Sequence, residues 1–104
     1  MKLLTKELEA KLPKLYTNEN KKPEETPIII KFFHPLSNWT WYATEGEKQE
    51  DGDWMFFGLV RGMENELGYF TLSQLQSVKV MGLPIERDMY FGKHTLAEAQ
   101  AQRI

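Results

Sequence analysis

The chain has 104 residues, 41% hydrophobic and 27% charged, with 13 basic against 15 acidic side chains and no cysteine. That is room for one domain over residues 1–104 and one modest core. It leaves no means for disulfides, thiolate metal sites, iron–sulfur clusters or a cysteine nucleophile. The net charge of −2 also lacks the basic excess that nucleic-acid binding ordinarily uses.

The opening segment MKLLTKELEAKLPKLY carries charges every few residues and no apolar run of signal-peptide length. No run elsewhere approaches the ~20 residues that span a bilayer, so a cytoplasmic protein without a membrane segment is expected. Thr5 reads as the N-cap of a short helix, with Glu7 and Glu9 near its positive end and Leu4, Leu8 and Leu12 as its apolar stripe. Pro13 stops that helix at Leu12. Thr17–Pro27, TNENKKPEETP, is polar and proline-punctuated and reads as a mobile loop.

The period then changes to two. Ile28–Phe33 and Trp39–Glu45 read as strands around the turn His34–Asn38, and the acidic Gly46–Gly52 segment leads into a third strand, Asp53–Arg61. A short fourth strand, Leu67–Phe70, runs into the capping-box pattern Thr71-Leu72-Ser73-Gln74 of a second helix. Ile85–Phe91 alternates as an extended edge segment, and Thr95-Leu96-Ala97-Glu98 opens a C-terminal helix. Strands in the middle and helices at the ends predict an α+β fold. Its antiparallel meander of three to five strands is expected to carry the N-terminal, middle and C-terminal helices on one face. The third strand disturbs that picture, because both of its faces are apolar: the strand is central and covered on both sides, or one of its faces binds something.

Lys31–Tyr42, KFFHPLSNWTWY, concentrates five aromatic side chains in twelve positions. Asn38, Trp39, Trp41 and Tyr42 there form either a stacking platform for a partner or part of the core. Arg61 and Arg87 are candidate charges beside them, and Arg87, on the side of Ile85 and Met89, needs a carboxylate such as Glu86 or Glu66, or an aromatic face. Glu86 and Asp88 lie about 7 Å apart if extended, the spacing of a paired-carboxylate site. With Glu66 or His34 they make the alternative reading, a hydrolase-like enzyme around an aromatic pocket. His34 and His94 have no metal-ligand spacing, so neither a metal nor a cofactor is expected.

Three blocks, KFFHPLSNWTWYATE, FFGLVRGMENELGYFTLSQLQS and GLPIERDMYF, resemble the bacterial family labelled domain of unknown function 2958. The resemblance covers about Lys2 to Leu96. It implies a short cytoplasmic protein of plasmids and integrative conjugative elements, and it implies no activity. The acidic Gly46–Gly52 link is longer and more charged than is usual in that family. The resulting expectation is a non-catalytic accessory protein whose partner is a protein or a small ligand, not nucleic acid. Its contact surface would join the Trp39–Tyr42 strand, the Arg61 end of the third strand and Glu86–Asp88.

Overall fold

The aromatic and β-branched runs of the middle of the chain pair in the order in which they occur. In the computed structural model, which describes Met1–Ile104, a short helix α1 (Lys6–Lys11) precedes four strands: β1 (Ile30–Phe33), β2 (Thr40–Lys48), β3 (Trp54–Arg61) and β4 (Asn65–Thr71). They form an antiparallel meander. Helix α2 (Leu72–Ser77) and a small hairpin of β5 (Lys79–Val80) and β6 (Leu83–Pro84) follow. Strand β7 (Glu86–Arg87) then returns to pair antiparallel with β1, and α3 (Leu96–Gln100) comes last. The large sheet has the order β4-β3-β2-β1-β7.

All three helices start where a threonine hydroxyl can accept an N–H of the first turn. Thr5 accepts from Leu8, while Thr71 with Gln74 and Thr95 with Glu98 form complete capping boxes. At five or six residues each, such helices are unstable alone and persist through caps and packing. Expected bounds shift by a few residues: β2 runs past Glu45 to Lys48, and of Ile85–Phe91 only Glu86 and Arg87 pair as strand.

The helices do not share one face of the sheet. On one side Phe56 is fully buried between Phe32 and Phe70, with ring centroids 5.6 and 5.5 Å away. Leu3, Leu4 and Leu12 of the N-terminal segment, Leu75 of α2 and Ile85 close over them. On the other side Tyr42 and Leu59 lie under Leu96 and Ala99 of α3 together with Ile28. The reason is β3 itself: both its faces are apolar at mid-strand, and each requires a cover. Two backbone bonds hold α3 in place, from the Ile28 N–H to the His94 carbonyl (2.9 Å) and from the Leu96 N–H to the Thr26 carbonyl (2.8 Å). Gly58 permits the close approach of β2, since a Cβ there would stand 1.7 Å from the Tyr42 carbonyl oxygen.

Candidate functional site

Trp39 enters the sheet from the His34–Asn38 turn. His34 organises that turn: its Nδ1 accepts the Leu36 N–H (3.0 Å) and its Nε2 faces the Leu83 carbonyl oxygen (2.8 Å). A backbone N–H can only donate and a carbonyl only accept, so the ring is neutral with its proton on Nε2. The buried imidazole therefore latches the turn to the β5–β6 hairpin. Asn38 stands exposed beside it. Trp39 stacks on Trp41 with centroids 5.8 Å apart, and its ring lies where a Cβ on Gly62 would come within 2.6 Å. Trp41 is 8% exposed and belongs to the core, whereas Trp39 is 41% exposed.

The Trp39 ring separates two shallow depressions. His34, Ser37, Trp41, Val78 and Val80 line one of them, and Val60, Met63, Glu64 and Glu66 the other. Leu36, Met81 and Leu83, in the turn and the hairpin that His34 joins, add further exposed apolar surface. Two acidic side chains thus border a fixed aromatic ring in an apolar strip.

Tyr42 and Arg61 face the opposite side, as strand alternation requires. Tyr42 is buried, and the Arg61 guanidinium lies 5.3 Å from the centre of its ring. Arg61 donates to the Tyr42 hydroxyl (3.2 Å) and to the Ala99 carbonyl oxygen at the end of α3. It is a clamp between the sheet and that helix. Lys31 on the same face pairs with Asp88 at 3.4 Å and lies beside the rings of Phe33 and Phe91. Arg87 makes no ion pair with Glu86, Glu66 or any other carboxylate. It borders a depression with Lys31, Asp88 and Phe91, and its N–H lies 3.1 Å from the Met1 sulfur.

The four groups of the catalytic alternative line four different depressions. Asp88 lies beside Arg87, Glu86 beside Leu3, Leu4 and Trp54, Glu66 beside Trp39 and Met63, and His34 beside Trp41 and Val78. The structure does not bring them together. Nor does any group of three or more His, Asp or Glu stand in position to hold a metal ion. Two other carboxylates serve helix starts. The Ser73 hydroxyl, at 2.5 Å, holds Asp53 below its ordinary pKa, and the His94 ring, at 3.2 Å, does the same for Glu98.

A residue absent from the sequence-based candidates is the most deeply set charge in the molecule. Glu45 is only 3% exposed. Its carboxylate accepts the N–H groups of Tyr16 (2.9 Å) and Asn18 (2.6 Å), which ties the segment Lys14–Lys21 to β2. The expectation of a free loop at Thr17–Pro27 is corrected accordingly: its start is held by Glu45, and Pro23–Glu25 forms a 3-10 turn. Glu45 faces this way because Thr44 is an extra residue in β2: Ala43 pairs with Gly58 and Glu45 with Phe57, so the register shifts between them. The Thr44 hydroxyl fills the gap by donating to the Phe57 carbonyl (3.1 Å). Beside Glu45 runs a groove of about 380 Å³, lined by Tyr16, Asn18, Phe57, Tyr69 and Leu96 among others. Tyr69 meets Tyr16 edge-on at 6.5 Å and Phe57 at 5.0 Å.

No helix is long and apolar enough to cross a membrane. Neither the curated proteins nor the solved structures contain a match to this sequence. The family model described as Protein of unknown function (DUF2958) matches residues 3–102, and the chain therefore belongs to that family.

Proposed function

We propose that the protein is a non-catalytic binding protein, a cytoplasmic accessory factor of a mobile genetic element, and that it holds a partner protein on the surface around Trp39. One observation carries the reading. Trp39 is 41% exposed, yet it is fixed by stacking on Trp41 and by the close approach of Gly62. A rigid, half-exposed tryptophan loses little conformational freedom on binding and offers a large contact area, which is why tryptophan dominates interface hot spots. Glu64 and Glu66 on the rim favour a partner segment that inserts an apolar side chain and carries lysine or arginine beside it. Lys31 and Arg61 support no nucleic-acid reading at this surface. Each stands on the sheet face opposite Trp39 and is already engaged.

The test is affinity capture from host cells with the wild-type protein and with Trp39→Ala, Met63→Lys and a remote control, Tyr90→Ala. A partner recovered by wild type and control should fall at least about tenfold with each of the first two substitutions, as for loss of a hot spot. Equal recovery by Trp39→Ala, with an unchanged circular dichroism spectrum, sinks the reading.

A further inference from the structure

The cover that α3 lays over its face of the sheet stops short of β4, and the groove beside Glu45 opens there. Its chemistry is unusual in one respect. A carboxylate buried to 97% ordinarily has a cationic partner, and Glu45, 3% exposed, has none. The four ion pairs of the molecule are Lys6–Glu9, Lys11–Glu7, Lys31–Asp88 and His94–Glu98. Two N–H donors occupy the carboxylate, leaving about half of its four or so acceptor positions unused. Asn18 lines the same groove, and its Oδ1 is buried without a donor. The remaining walls mix aromatic and apolar side chains with Glu19, Lys21, Thr26 and Thr44.

We propose that this groove binds an organic cation, an ammonium or guanidinium group on an apolar stem, with Glu45 as its counter-charge. The two tyrosines and Phe57 present ring surfaces whose negative faces attract such a group. Asn18 Oδ1 is positioned to accept one of its N–H bonds, and Phe57, Leu67 and Leu96 accommodate the stem. The Tyr69 hydroxyl in the same groove is pushed above its ordinary pKa first by the Tyr16 hydroxyl and by burial, with the charges of Glu45 and Glu19 as the smallest causes. Lys21 is the chain's own cation on the rim, and it makes no ion pair with Glu45.

The same chemistry is available from a free amine or from a lysine side chain of another protein, and the experiment separates them. Amide shifts of Tyr16 and Asn18 are followed by NMR while the folded protein is titrated with phenethylamine, with N-acetyl-lysine methylamide, and with phenethyl alcohol as the neutral isostere. At least one cation should shift both amides saturably and bind about tenfold or more tightly than the alcohol, as for a charge-assisted contact. Preference for phenethylamine assigns a free amine, and preference for the lysine derivative assigns a side chain. Glu45→Gln should weaken the preferred cation by about tenfold. Should that variant fail to fold, Tyr69→Leu leaves the Glu45 tether intact and should weaken it roughly threefold. No saturable shift, equal binding of the alcohol, or undiminished affinity in the folded variants overturns the proposal.

Discussion

Thr44 occupies one extra position in β2, and that position decides which way Glu45 faces. Without it, alternation would place Glu45 with Trp41 and Ala43 on the face of the Phe32–Phe56–Phe70 core, an impossible site for a lone carboxylate. Replacing Glu45 by Ala should leave the Tyr16 and Asn18 N–H groups without acceptors, at about 1–3 kcal/mol for each that stays buried. Faster hydrogen exchange at those two amides and a lowered thermal midpoint would show it. A pair of glycines makes a sharper comparison at the same scale. Gly58→Ala should prevent folding, because its Cβ would stand 1.7 Å from a backbone oxygen. Gly68→Ala meets nothing within 4 Å and should be neutral or stabilise by roughly 0.5–1 kcal/mol. Urea denaturation of both variants decides the matter. Of the individual residues, Trp39 was legible in the sequence because aromatic density marks a surface or a core. Glu45 was not, because it opens an acidic run that reads as solvated, and a bulge leaves no periodic signal.

Each helix depends on its first turn. Thr95→Ala removes the hydroxyl that accepts the Glu98 N–H (3.3 Å) and should cost about 1 kcal/mol, seen as a lower urea midpoint and faster amide exchange across α3. Two helix starts, those of α2 at Asp53 and of α3 at Glu98, also make the fold sensitive to acid. Asp53, held down first by Ser73, and Glu98, held down first by His94, have folded pKa values below their ordinary ones. Their contribution is therefore complete above the ordinary carboxylate pKa and is lost as pH falls through the folded values. Stability should drop on acidification below about pH 4, less steeply in Asp53→Asn and Glu98→Gln; parallel pH profiles for wild type and both variants would refute the assignment. The three helix starts were legible because a threonine followed three residues later by Gln or Glu is a local signal, and Thr5 precedes an apolar stripe. The end of β7 was not. Asp88 still donates its N–H in register to the Lys31 carbonyl (3.0 Å), and the strand ends where its carboxylate accepts the Tyr90 N–H (2.9 Å), a side-chain turn that the alternating pattern does not encode.

At the scale of the molecule, one sheet is closed from both sides by opposite ends of the sequence. The meander and its α+β class followed from short links between period-two segments. The division of the helices between two faces was only hinted at by the doubly apolar β3, since periodicity shows that a face needs cover and not which helix supplies it. Removing residues 95–104 should bare Tyr42 and Leu59. Each buried side chain of that size contributes about 1.5–3 kcal/mol to a total stability of only about 5–15 kcal/mol. The shortened protein should bind the dye ANS and lose its near-ultraviolet circular dichroism, and an intact cooperative unfolding transition would contradict this account of α3.

The placement of α3 also bears on the order of events during synthesis. Hairpins β1–β2, β2–β3 and β3–β4 join neighbours in sequence and can form as they leave the ribosome. Ile28 and Thr26, by contrast, wait for His94 and Leu96, and β1 waits for β7 to cover its outer edge. Until residues 86–104 have cleared the exit tunnel, the nascent chain carries a meander with one apolar face and the β1 edge open. That is the state in which a chaperone would meet it and in which neighbouring nascent chains would stick.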